Sequence, residues 1–213
     1  MAYTTIDDPE AYFQITTWTG NGSTRSITLG GDTDMQPDLV WIQNRGGTYA
    51  PPVFDSVRGA TKFLEAHDNT AEQTVANTLT SFDSDGFSLG ADTSSYVNRS
   101  AGPNTYVAWC WKESATAGFD IVSFTGNATD DRDISHSLSA VPHFWVTRNR
   151  PDAEDWLVYH HKNTSAPETD YLLLDEPSAT ADNSIVWSDE APTSSVYTVG
   201  TADSVNGNTD AMI

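Results

Sequence analysis

Asp83-Ser84-Asp85-Gly86 begins like a calcium loop, in which closely spaced carboxylates offer hard oxygen ligands to one cation. A complete loop of that kind needs more oxygen ligands and a glutamate further on, where this chain has Ser94. The stretch is better explained as a tight Asp-Gly turn between two strand ends. Asp130-Asp131-Arg132-Asp133 reads the same way, as a charged and solvated hairpin tip. His160 and His161 are adjacent, so on a strand they point to opposite faces and cannot chelate one ion together. His136 and His143 have no Cys or carboxylate at ligand spacing. Serines are abundant, but no G-x-S-x-G elbow anchors a hydrolase triad. Nothing selects a glycosidase pair from the 30 carboxylates. No residue is assigned a catalytic, cofactor-binding or metal-ligating role, and the expectation is a protein that is not an enzyme.

Cys110 lies between Trp109 and Trp111 and reads as a buried core residue. As the single cysteine it excludes an internal disulfide and a Cys-based zinc site. Asn21, Asn98, Asn127 and Asn163 begin N-x-S/T triplets, and Asn21 and Asn127 overlap hairpin turns that explain them without a glycan. The net charge is −20, from thirty acids against ten bases, and aspartate dominates while only Lys62, Lys112 and Lys162 are lysines. Such a surface repels itself in dilute buffer. In molar salt the screening length falls to about 3 Å and the repulsion fades. The composition therefore points to hypersaline surroundings. It also disfavours nucleic acid as a partner, since no basic stripe exists to displace counterions from phosphate. No apolar run reaches the roughly 18 residues that span a bilayer, and MAYTTIDDPEAYF lacks the regions of a secretory signal. No membrane partner is expected, and the protein is expected to be made and kept in a cytoplasm or assembled there into something larger.

The elements that carry these residues are strands. Leu39-Val40-Trp41-Ile42 is an unbroken apolar run, as in a strand covered on both faces. Pro37 presets its extended entry, and Asn44-Arg45-Gly46-Gly47 marks its exit. Residues 13–19 alternate and turn back at Thr19-Gly20-Asn21-Gly22. Tyr106 to Trp111 is a strand with Val107, Trp109 and Trp111 on one face and Tyr106, Ala108 and Cys110 on the other. Residues 70–76 could form one helical turn; no other stretch has a period of 3.6.

The series is stated twice. PDLVWIQNR at Pro37 to Arg45 returns as PHFWVTRNR at Pro142 to Arg150, an offset of 142 − 37 = 105. Phe124-Thr125-Gly126-Asn127 echoes Trp18-Thr19-Gly20-Asn21, and Val196 to Gly200 echoes Gly86 to Gly90. The offset grows along the chain, as small insertions in surface turns would make it. Thr209 to Ile213 aligns with the start of the Tyr106–Trp111 strand, so the second closing strand reads as incomplete and its neighbour as an open edge awaiting a strand from elsewhere.

The motifs TGNGS, PDLVWIQNR, FDSVRGA, SFDSDGF and YVAWCW resemble a repeat found in virion proteins of tailed bacterial and archaeal viruses, where it occurs in tandem copies and has been treated as a domain of unknown function. The resemblance covers nearly all of residues 3–213. It implies a structural part on the outside of a virus particle (capsid decoration, turret or tail fibre), and it carries no catalytic residues.

The expected fold is all-β, two tandem antiparallel β-sandwich repeats that are jelly-roll-like. The expected divisions are an N-terminal arm at 1–11, a first repeat at 12–113, a short linker at 114–117 and a second repeat at 118–213. The expected function is a virion surface structural protein of a tailed virus with a halophilic host. Its partners would be copies of itself, as a trimer or pentamer, and other virion proteins. The alternative is an adhesin that recognises host surface glycans.

Overall fold

The computed structural model describes residues 6–102 and 104–213; residues 1–5 of the expected arm lie outside the described residues. Antiparallel sheets dominate, with two four-residue α-helices. The chain divides into two compact units, Met1–Glu65 with Gln73–Phe119 and Ala66–Glu72 with Asp120–Ile213. Within the arm Pro9–Ala11 forms a 3-10 turn, capped by the Asp8 side chain, which accepts the Glu10 N–H.

The first unit holds β1 (Phe13–Thr19), β2 (Arg25–Ile27), β3 (Leu39–Asn44), β4 (Pro52–Asp55), β5 (Lys62–Glu65), β6 (Gln73–Thr74), β7 (Leu79–Asp83), β8 (Gly86–Leu89) and β9 (Thr105–Trp111). Six of them form one sheet in the order β1-β9-β3-β4-β5-β6, and the others a second sheet in the order β2-β8-β7. Both sheets contribute to one core: Val40, Ile42, Phe54, Phe63, Ala108 and Cys110 from the first, Ile27, Leu79, Phe87 and Leu89 from the second. Phe54 and Phe63 are fully buried with ring centroids 5.3 Å apart. Burial of each contributes about 1.5–3 kcal/mol.

β9 follows the expected alternation, with Tyr106, Ala108 and Cys110 inside. Burial pushes the Cys110 thiol up to about 12, so it stays protonated and inert. β3 departs from expectation. Val40, Ile42 and Asn44 are buried, but Leu39, Trp41 and Gln43 are only half-buried. Its apolar run is unbroken because the outer face also carries large apolar side chains. The helical turn considered at 70–76 is also corrected, since Gln73–Thr74 is strand β6 on β5.

The second unit holds β10 (Phe124–Thr125), β11 (Arg132–Ser135), β12 (Phe144–Thr147), β13 (Leu157–His160), β14 (Asp170–Leu173), β15 (Ala181–Asp182), α1 (Ser184–Trp187), β16 (Val196–Val199), α2 (Asp203–Asn206) and β17 (Ala211–Met212). Its strands pair as β10-β17, β11-β16 and β12-β13-β14-β15. The expected shortfall is seen in part: β17 has two residues against seven in β9, and among the described residues β12 pairs with β13 alone, whereas the end near Thr209 to Ile213 is itself bonded on both sides. β17 has β10 on one side, and on the other Arg148 and Ile213 exchange backbone hydrogen bonds of 2.8 and 3.0 Å. In the core Trp145 stacks on Tyr159 at 3.8 Å and meets the Trp187 ring edge-on at 5.2 Å. Asn183 caps α1, its side chain accepting the Ile185 N–H.

Residues 66–72 run between β5 and β6 in sequence but count with the second unit. There Arg150 donates from Nε and Nη2 to both carboxylate oxygens of Glu72, at 2.8 and 2.9 Å, and the Glu72 N–H donates to the Arg150 carbonyl. This bidentate geometry is the strongest form of the pair. The buried Arg148 adds a bond from Nη2 to the Thr70 carbonyl at 2.9 Å.

Each unit also has a buried asparagine that clasps its first turn. Asn98 accepts the Asn21 N–H at 3.1 Å and donates to the carbonyls of Ser23 and Gly90. Asn206 accepts the Asn127 N–H at 3.0 Å and donates to the carbonyls of Thr129 and Gly200. The turns fit closely. A Cβ at Gly20 would strike the Arg99 carbonyl, and one at Gly126 the Gly207 carbonyl. Replacing either asparagine by alanine strands buried backbone donors and acceptors. Asn98→Ala and Asn206→Ala should each lower the unfolding free energy by about 2–4 kcal/mol in urea titrations, and a loss below about 0.5 kcal/mol would contradict the clasp.

Candidate interaction surface

Most of the residues whose types could do chemistry have structural roles in the fold. Asp83 accepts hydrogen bonds from Ser81 Oγ and Ser88 Oγ, both 2.7 Å, and Gly86 turns at a φ of 109°. The Asp-Gly turn reading is thus the one observed. At the second acidic tip Asp130 accepts from Ser188 Oγ at 2.9 Å and Asp133 from Thr198 Oγ1 at 3.1 Å. Arg132 reaches the Thr125 carbonyl at 2.7 Å and lies over the Phe124 ring.

The histidines are placed differently from expectation. His161 leaves β13 in a turn, so its ring stacks on His160 at 5.2 Å instead of pointing to the opposite face. His143 joins them, 4.0 Å from the His161 ring, while the His136 ring bonds the Thr193 carbonyl. Strand alternation could not foresee this, because it fails one residue past a strand end. Asn98 is fully buried and committed to its clasp, which leaves no room for a glycan. Asn21 and Asn127 sit in exposed turns and accept the N–H two residues on. The Asn163 side-chain oxygen accepts from Thr180 Oγ1 at 2.9 Å.

A small acidic cavity of about 140 Å³ lies in the second unit. Glu154, Asp155, Asn183 and Tyr171 surround it over an apolar floor of Leu157, Leu173 and Val186. Burial pushes the Glu154 carboxyl above its usual range, and the charges of Asp203 and Asp155 push it further.

The most distinctive surface is the outer face of the six-stranded sheet in the first unit. Gln14 and Trp18 point into the unit, so Phe13, Ile15 and Thr17 point out. The register then sets Ile15 beside Trp109, Trp109 beside Trp41, and Trp41 beside Val53, one row across four strands. A second row runs Phe13, Trp111, Leu39. Trp41 and Trp109 meet edge-on at 6.3 Å, Phe13 and Trp111 are tilted with centroids 5.1 Å apart, and Phe119 lies 6.5 Å from Trp111. Ile15 is 54% exposed and Phe13 37%, while the tryptophans are half-buried. β1, β3 and β9 contain no charged residue, in a chain with 30 acids and 10 bases. Contiguous apolar patches of this kind, on a chain otherwise so acidic, are where interaction surfaces are sought.

The family model described as Domain of unknown function (DUF7483) matches residues 8–213. The chain belongs to this family. No curated protein and no solved structure matches it. In this DUF7483 chain the aromatic rows come from strands that the sequence displays openly. What the sequence did not display is which tryptophans remain at the surface, since that depends on which face of β3 and β9 meets the second sheet.

The raised Glu154 carboxyl makes stability depend on pH. A carboxyl raised in the folded state costs stability as pH rises through the interval between its unfolded and folded values, and the cost then persists at neutral pH. Glu154→Gln should therefore raise the melting temperature at pH 7 and leave it unchanged near pH 3, where the wild-type group is protonated in both states. Equal shifts at the two pH values would contradict the assignment.

Proposed function

We propose that this chain is a structural protein of a virion surface, a capsid decoration, turret or tail-fibre component of a tailed virus of a halophilic host, and that it works by contact between surfaces. The observation that carries the reading is the charge-free aromatic face on β1, β9 and β3, which offers a broad surface to a neighbour. The partners in this reading are copies of the chain and other virion proteins. The sequence motifs supply the virion context and the charge of −20 supplies the saline one.

We further infer that the two units are tandem copies of one jelly-roll-like sandwich. In the second unit β10, β17, β12, β13, β14 and β15 follow one another as β1, β9, β3, β4, β5 and β6 do in the first, once the Asn149–Met212 bridge is counted. The clasps support the same reading, because Asn98 and Asn206 hold equivalent turns through equivalent atoms. α1 then stands where the first unit has β7.

A second reading is favoured by one feature of the same face. The half-buried Trp41 and Trp109 lie close to Gln43 and Thr17, an aromatic platform with polar neighbours on which a sugar ring could stack. A glycan array separates the two readings, since specific binding lost in Trp109→Ala supports an adhesin.

The virion reading is tested on purified particles from an infected host, where many copies of the chain per particle are expected and its absence from particles would overturn the reading. The halophilic part has its own test. The melting temperature should fall steeply when salt is lowered from about 3 M to about 0.1 M, as screening is withdrawn from the acidic surface. A melting temperature independent of salt would refute it.

A further inference from the structure

The first strand of the first unit leaves one side unpaired among the described residues. Among the described residues β1 pairs with β9 alone and stands at the edge of its sheet. Two backbone bonds fix which of its groups face outward. The Lys112 N–H donates to the Tyr12 carbonyl and the Gly20 N–H to the Asn104 carbonyl, each at 2.9 Å. Both pairs belong to the β1–β9 register, so even-numbered residues of β1 bond to β9. The N–H and C=O groups of Phe13, Ile15, Thr17 and Thr19 therefore point away from β9. Arg25 Nη1 already donates to the Thr19 carbonyl at 3.0 Å, which leaves residues 13, 15 and 17 as the available edge.

Among the described residues this edge has little of the usual protection beyond Arg25 at its Thr19 end. It is seven residues long, FQITTWT, without lysine, proline or any charge. Natural sheets blunt such edges with charges, bulges or very short strands, and β6 at the opposite edge of this sheet has only two residues. On a surface this acidic, another copy is repelled wherever carboxylates face carboxylates. β1 itself carries no charge, so an approach along it sets no like charges of the strand against one another.

We propose that β1 pairs antiparallel with β1 of a second copy, about a two-fold axis through Ile15, joining the two six-stranded sheets edge to edge. The inference rests on the reading of the protein as a self-assembling structural component. In this register Ile15 faces the partner subunit's Ile15, and Phe13 faces the partner's Thr17. Each outward N–H at these positions then finds an outward carbonyl, and the reverse. The Thr19 carbonyl, held by Arg25, is not needed. The row Trp41–Trp109–Ile15 continues across the axis into the partner's Ile15, so the exposed isoleucine is covered by its own counterpart. A two-fold joint makes pairs and so departs from the trimer or pentamer expected of the sequence.

The test uses the full chain in high salt, with sedimentation equilibrium and hydrogen–deuterium exchange. Wild type should have twice the monomer mass, with the amides of Phe13, Ile15 and Thr17 protected more as concentration rises. Thr17→Pro removes an N–H that bonds nothing within the sheet. It should give a monomer with unchanged circular dichroism, and Ile15→Asp should do the same by placing two carboxylates on the axis. Should either variant misfold, the wild-type exchange pattern decides alone. An oligomer that survives both substitutions in folded protein, or one whose edge amides exchange equally fast at all concentrations, would overturn the edge pairing while leaving self-assembly standing. A monomer at every salt and protein concentration would overturn both.

Discussion

The first unit depends on one topological constraint: its last strand must lie between its first and third. β9 takes its backbone bonds from β1 on one side and β3 on the other, and its Tyr106, Ala108 and Cys110 form the middle of the core. Without β9 the first strand has no partner and β3 keeps only β4, so the sheet is cut and the core loses Tyr106, Ala108 and Cys110. All of these contacts are distant in sequence, so their loop entropy is spent before any pairing rewards it. Features that hold the return path in place therefore matter more than their size suggests. Asn98 is one, a side chain that joins the first turn to the end of β8 just before the chain enters β9. The Asn44 side chain is another, donating to the Ser95 carbonyl, Asn104 Oδ1 and the Tyr106 hydroxyl.

The acidic surface and the neutral sheet face are two sides of one distribution. With 30 acids to place, the chain keeps every one of them off β1, β3 and β9. Buried charges are hydrogen-bonded instead of isolated: Asp92 accepts the N–H groups of Ser94 and Val97, and Asp170 accepts from Thr164 Oγ1. Ion pairs add to this, Arg58 with Asp55 inside the first unit and the half-buried Arg150 with Glu72 in the second. An isolated buried charge would be far costlier than an apolar residue, whereas a paired and hydrogen-bonded one is tolerated. Arg148 is the exception in kind. Burial lowers its pKa, while the charges of Asp175, Asp155 and Glu154 act to raise it.

Much of the fold could be read from single strands. The Asn-Gly turn after β1, the Asp-Gly turn before β8 and the alternation in β9 are local signals with local causes. What escaped the sequence is tertiary in origin. α1 and α2 span four residues each, too few to show a helical period. Residues 66–72 carry no pattern that assigns them to the second unit; their place is decided by Arg150 and Arg148, far along the chain. Asn98 and Asn206 look like any polar loop residue until the turns they clasp are in view. The candidate surface was half legible. The tryptophans were evident, but the outward face of β3 was misread as covered, because an apolar run does not say what lies on each side of it.

The position of β9 also shapes what happens on the ribosome. β1 is complete at Thr19 and its partner only at Trp111, so 111 − 19 = 92 residues separate them. At usual translation speeds the first strand waits roughly 5–20 s with both edges bare. In a crowded polysome, nascent chains carrying FQITTWT would meet one another before any of them meets its own closing strand. The intervening segment carries ten carboxylates against five basic residues, and the like charge of neighbouring nascent chains opposes such encounters until each can shut its own sheet.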